Sequence, residues 1–141
     1  MAVCTFFGHR DCPADIKPKL WAVLRDLVEN HGVDQFYVGN HGGFDHMVRA
    51  ALRELAQQYP HIDYAVVLAY LPQSNEDDDY SDTVFPEGIE TVPKRFAISW
   101  RNRWMLQQAD VVVSYVTHDW GGAAQFVQQA RRKEKHIICF A

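Results

Sequence analysis

Along this chain apolar residues fall by turns into short unbroken runs and into sets spaced by three and four. The runs are Ala2–Phe7, Phe36–Val38, Asp63–Tyr70, Val111–Val116 and His136–Phe140. They lack the apolar/polar alternation of a half-exposed strand, so they read as strands covered on both faces, as in a parallel sheet. Between them, Leu20, Val23, Leu24, Leu27 and Val28 share one helical face, closed by His31-Gly32. Phe44, Met47, Val48, Ala51, Leu52 and Leu55 share a second. Helical spacing resumes near Lys94 and carries Trp100, Trp104, Leu106 and Ala109; Ala123 to Lys133 forms a fourth helix. Strand and helix alternating in this way predict an α/β fold, a Rossmann-like three-layer sandwich forming one domain over residues 1–141. Its mainly parallel five-stranded sheet takes the order 3-2-1-4-5, which puts the ligand crevice beyond the C-terminal ends of strands 1 and 4. Only the stretch from Leu71 to Pro93 lacks a period. A loop that long is usually a functional lid or mobile. Its acidic run, Asn75 to Tyr80, reads as solvated surface, with cation binding the minority alternative.

The predicted topology brings three glycine turns to one edge of the sheet: Gly8-His9-Arg10, Gly39-Asn40-His41-Gly42-Gly43, and Gly121-Gly122. A strand that passes through a glycine turn into a helix aims unpaired N–H groups and the positive helix end at one spot, which suits a phosphate or carboxylate. Such glycines also serve merely to turn the chain, and Gly39-x-x-Gly42-Gly43 is not the dinucleotide fingerprint. Two roles are open to Arg10: a bidentate clamp on an anion, or a surface ion pair with Asp11 or Asp15. Two are likewise open to Asp45: a carboxylate complementing the helix dipole, or an acceptor for a ribose hydroxyl. Trp100 and Trp104 read as core, whereas Trp120, in a turn, is a candidate stacking surface. His9, His41 and His118 share the edge, but no HExxH or close Cys/His pair accompanies them, so no metal site is expected. Cys12 beside Arg10 is a candidate low-pKa thiol without an identifiable base.

Composition narrows the partners. The net charge of −4, with no Lys/Arg block, argues against a nucleic-acid backbone. Cys4, Cys12 and Cys139 are odd in number and show no CxxC spacing, no apolar run reaches membrane-spanning length, and no signal peptide is legible. A reducing, cytoplasmic setting without membrane contact is expected. Trp21, Phe44, Trp100 and Trp104 add aromatic surface to the helices, and a homodimer covering part of it is expected.

GHR after the first strand, GGFD at the second turn, FPEGIETVPKRFAISWRNRWM and DVVVSYVTHDWGGA together resemble the SLOG superfamily. The likeness is greatest to its YpsA/YoqJ-like bacterial and phage branch, related to the Lonely Guy phosphoribohydrolases and the DprA/Smf Rossmann-like domain. It spans essentially the whole chain. The resemblance implies a Rossmann-like fold and a nucleotide or nucleotide-derived ligand of NAD or ADP-ribose type, held by Gly8, His9, Arg10, Gly39, Gly42, Gly43, Asp45, Arg101, Asn102, Trp120, Gly121 and Gly122. The enzymatic members carry Arg-x-x-x-Met, a strand, and then Gly-Gly-x-Gly-Thr-x-x-Glu. Arg101, Met105, Gly121 and Gly122 match, but Ala124, Gln125 and Gln128 replace the later Gly, Thr and catalytic Glu. An amide neither takes up a proton nor stabilises an oxocarbenium-like carbon as a carboxylate does. A binding or sensing module is therefore favoured. The alternative is an N-glycosidic hydrolase using Asp45, Glu87 or Asp119 as a displaced acid.

Overall fold

The computed structural model describes residues 2–70 and 81–140. Six strands and four helices alternate along it: β1 (Ala2–Gly8), α1 (Lys17–Asn30), β2 (Val33–Val38), α2 (Gly43–Gln58), β3 (Asp63–Val67), β4 (Thr83–Val84), α3 (Ala97–Gln108), β5 (Val111–Tyr115), α4 (Gly122–Arg132) and β6 (His136–Cys139). All pair in parallel, in the order β4-β3-β2-β1-β5-β6. The five strands expected from the apolar runs keep their expected order, and β4 joins as a sixth at the outer edge of β3. Two residues are too few to show a period. β4 is held from outside its own sequence, by Val66 N–H donating to Asp82 O (2.7 Å) and Leu68 N–H to Val84 O (2.9 Å).

Asp82 fixes this edge. Its carboxylate accepts from Arg49 (2.7 Å) and from the Tyr64 hydroxyl (2.9 Å), with Arg53 at 3.5 Å. Burial alone would raise its pKa; the hydrogen bonds from Arg49 and Tyr64 outweigh that and hold it below the usual carboxylate value. The segment expected to be irregular also contains a 3-10 turn at Ile89–Thr91, and a second at Lys94–Phe96 leads into α3, near where helical spacing was expected to resume. The acidic run from Asn75 to Tyr80 lies outside the described residues.

Successive β1 side chains point to opposite faces, and two cores result. Cys4 and Phe6 pack with Leu20, Leu24 and Leu27 of α1 and Phe44, Val48 and Leu52 of α2. Phe7 packs with Met105 and Leu106 of α3 and Phe126, Val127 and Ala130 of α4. The three layers are thus α1/α2, sheet, and α3/α4. Phe44 is fully buried, while Trp21, Trp100 and Trp104 are half-buried against the cores, Trp104 meeting Tyr37 edge-on at 5.1 Å. The exposed large apolar side chains among the described residues are Val84, Phe96 and Trp120. No helix among them is long and apolar enough to cross a membrane.

The end of β1 is locked to the start of α2. A Cβ at Gly8 would overlap the Phe44 ring, and Gly43 N–H donates to Arg10 O at 2.7 Å. Gly8→Ala is expected to destabilise the fold by about 1–3 kcal/mol, the usual range for overpacking beside a side chain that has nowhere to go. Urea unfolding measures this; an unchanged midpoint would mean that the Phe44 ring moves freely.

Candidate functional site

The C-terminal ends of β1, β2, β3 and β5 converge where the strand order reverses, and the polar residues of their turns meet there. Arg101 on α3 is the centre of this group. Only 2% of it is exposed, so its donors must be satisfied internally. Nε donates to Asn102 Oδ1 (2.8 Å), and Nη1 donates to Val67 O (3.0 Å) and Asn40 Oδ1 (3.2 Å). Nη2 reaches His41 Nδ1 at 3.4 Å. Arginine only donates, so His41 accepts through Nδ1 and carries its proton on Nε2. Among the described residues, four of the five guanidinium N–H groups are thereby engaged, and one on Nη2 remains.

Asp45, in the first turn of α2, stands across Gly39 from this cation. A Cβ on Gly39 would lie 2.8 Å from Asp45 Oδ2 and 3.0 Å from Arg101 Cζ, so only glycine lets the two charged groups draw together here. Asp45 accepts the His41 backbone N–H at 3.2 Å. Burial pushes its carboxyl up to about 6, although Arg101 and that N–H pull the other way. Burial, together with Arg101 and Arg10, lowers the pKa of His41, which is therefore neutral at pH 7.

These groups line a crevice of about 90 Å³, with Gly8, Asn102 and Ala123 beside His41, Asp45 and Arg101. Against one side of this edge stands a stack of three rings. His9 and His118 are parallel at 3.7 Å, and His118 and Trp120 at 3.8 Å. His118 Nδ1 donates to Trp120 O at 2.8 Å, which fixes its tautomer and the turn. Burial first, and then His118, lowers the His9 pKa, and His9 Nε2 is buried without a partner among the described residues. Trp120, 69% exposed, ends the stack in solvent.

The expected site residues divide into three groups. Gly8, Asp45, Arg101 and Asn102 form the crevice with Gly39 at its back. Gly42 and Gly43 pack against protein: Gly42, at φ +93°, would set a Cβ 2.8 Å from Arg10 Cα, so these glycines interlock two turns. Arg10 is exposed and uses its backbone in that interlock. His9 and Trp120 form the stack, while Gly121 (φ +95°) starts α4 and Gly122 faces open space. Asn40 and Ala123 were not singled out from the sequence, and His41 only as a metal candidate; a polar pair between turn glycines is the signal that marks Asn40 and His41. Burial, and then Asp15, raise the Cys12 pKa, contrary to the low-pKa expectation from its neighbour Arg10. Of the candidate acids, Asp45 alone lines the crevice. Glu87 is exposed elsewhere, and Asp119 lines a separate cavity of about 280 Å³ together with Gln128 and Arg131.

No protein-family model matches the chain, and no curated protein matches it significantly. Its fold is similar to that in the X-ray structure of DNA processing protein A (DprA) from Streptococcus pneumoniae. The TM-score is 0.67, at 16% identity over 99% of this chain and 50% of that one. The likeness supports a DprA-like Rossmann-type fold, and this chain spans about half the length of that protein.

The raised Asp45 pKa makes a prediction about pH. A carboxyl at about 6 in the fold, against 3.8 when unfolded, stabilises the fold fully below 3.8 and loses that contribution as pH rises through 6. Asp45→Asn keeps an acceptor for the His41 N–H and removes the buried charge. It is expected to be more stable than wild type at pH 7.5–8, by up to about 3 kcal/mol, and to match it near pH 3.5. Denaturant unfolding across this range checks the sign; a variant less stable at high pH would show that the Arg101 attraction dominates.

Proposed function

We propose that this chain binds a nucleotide or nucleotide-derived ligand of NAD or ADP-ribose type, as a SLOG-like binding or sensing module. One observation carries the reading. A buried cation, Arg101, lines a crevice at the reversal of strand order and retains one N–H that no group among the described residues takes. A ligand phosphate meets that N–H and the charge behind it; Asp45 and Asn102 accept and donate to ribose hydroxyls. The turn of Gly121 and Gly122 is open to backbone approach, and the exposed ring of Trp120 offers a face for stacking. The fold likeness to a DNA processing protein fits a nucleotide-related Rossmann domain, and the net charge of −4 favours a small ligand over a duplex.

A second reading has its own observation. Asp45, in the crevice with a pKa near 6, suits a general acid, so N-glycosidic hydrolysis of a nucleoside monophosphate or ADP-ribose-like substrate is the runner-up. Gln128 in place of the family's catalytic Glu disfavours it.

Calorimetric titration with ADP-ribose tests the first reading. Arg10→Ala and Arg101→Lys, each checked for folding by circular dichroism, are expected to weaken binding by about 1.5–3 kcal/mol. This is the range for hydrogen bonds to charged groups, and Lys keeps the charge while losing the fork. Unchanged affinity in both variants would remove the phosphate site. Incubation with AMP, NAD and ADP-ribose should release base or ribose phosphate only at trace rates; robust turnover abolished by Asp45→Asn would promote the hydrolase.

A further inference from the structure

The larger cavity, about 280 Å³, lies between the β5–α4 turn, α4 and the end of β6, and Gln128 is part of its lining. Its floor is apolar: Val116, with Ala124 and Val127 almost fully buried. Its rim is polar and of mixed sign: Asp119, Gln128 and Arg131. On α4, Gln128 follows Ala124 by four residues and Arg131 follows Val127 by four, so each rim side chain stands above a floor residue. Asp119 and Arg131 form no ion pair among the described residues. A carboxylate and a guanidinium on one rim favour neither an anion nor a cation. With an apolar floor and an amide that both donates and accepts, they suit a neutral planar group with a mixed hydrogen-bonding edge. Ligand pockets are commonly about 300–1,000 Å³, so this one holds a base or nucleoside rather than a whole dinucleotide.

Position joins it to the crevice. Ala123 lines the crevice and the next residue, Ala124, lines the cavity. The two spaces therefore flank the first turn of α4, where Gly122 leaves the backbone open, and His118, the middle ring of the stack, lines the larger one. We propose that this cavity takes a purine base and that the Gln128 amide reads its edge, as Gln pairs bidentately with the N6 and N7 positions of adenine. Placing that base on the same molecule as the crevice-bound phosphate rests on the nucleotide reading above; the base pocket itself does not. The residue where a catalytic carboxylate is missing then sets specificity.

Titrating adenosine, ribose 5-phosphate and ADP-ribose into wild type and Gln128→Ala tests this. Gln128 is exposed, so its truncation leaves the core untouched. Wild type is expected to bind adenosine weakly and ADP-ribose more tightly. Gln128→Ala should lose adenosine and bind ADP-ribose on the order of tenfold more weakly, with ribose 5-phosphate unchanged. Equal ADP-ribose affinity in the two proteins, or an equal loss for ribose 5-phosphate, overturns the base pocket while leaving the crevice reading intact. Adenosine binding that depends on Gln128, with no gain for ADP-ribose and no binding of ribose 5-phosphate, supports the pocket and removes the phosphate crevice. Absence of adenosine and ADP-ribose binding in wild type overturns both.

Discussion

A guanidinium that is 2% exposed has to find its partners inside the protein, and those of Arg101 come from the end of β3, the β2–α2 turn and α3 itself. Val67 O is the last carbonyl of β3, Asn40 and His41 belong to the turn between β2 and α2, and Asn102 precedes the next turn of α3. None of these partners is a carboxylate in contact. The formal counter-charge, Asp45, is held across Gly39 and is itself pushed toward protonation by burial. Breaking a buried charge arrangement by removing one member typically costs about 3–5 kcal/mol, because the remaining group is stranded. The geometry of the edge thus depends on Arg101 more than on any glycine, and so does the electrostatic character of the crevice.

The glycines have unequal tasks. A side chain at Gly8 would collide with Phe44, one at Gly39 with the Asp45–Arg101 pair, and one at Gly42 or Gly43 with the Arg10 main chain. These four glycines let β1, its following turn and α2 pass within van der Waals distance of one another. Gly122 alone at this edge has nothing within 4 Å of where its Cβ would be. Two interlocked turns form a wall, and the third, at the start of α4, is the side left open. The glycines of the three turns therefore divide between those that interlock the scaffold and those that face open space.

Much of this was legible in the residues. Buried runs and helical faces reveal strands and helices because a doubly covered sheet leaves no alternation and each helix keeps one apolar stripe. Their alternation then dictates order, since crossovers in parallel sheets are strongly constrained. β4 was not legible because its two residues, Thr83 and Val84, owe their pairing to β3 and to the Asp82 contacts with α2 and Tyr64. Asp45 and Arg101 were found as candidates by position and likeness, but their coupling through Gly39 was not: it depends on a close approach between residues more than fifty apart in sequence. The ring stack escaped notice for the same reason. His9 and His118 meet only because β1 and β5 are neighbours, with Gly8 paired to Tyr115.

What distinguishes this edge from the rest of the molecule is a concentration of features that stability alone would not select. A carboxyl is buried against its preference for charge, an imidazole nitrogen is buried without a partner among the described residues, and Gly42 and Gly121 sit in left-handed backbone conformations at the starts of α2 and α4. Elsewhere the interior is ordinary: aliphatic and aromatic side chains fill both cores, and Asp82 is met by two arginines and a tyrosine hydroxyl. Shifted pKa values, unpaired polar atoms and unusual backbone cluster where a fold has been arranged around something other than itself. Here they surround a space where the cation is already desolvated and its hydrogen-bonding partners are already in place.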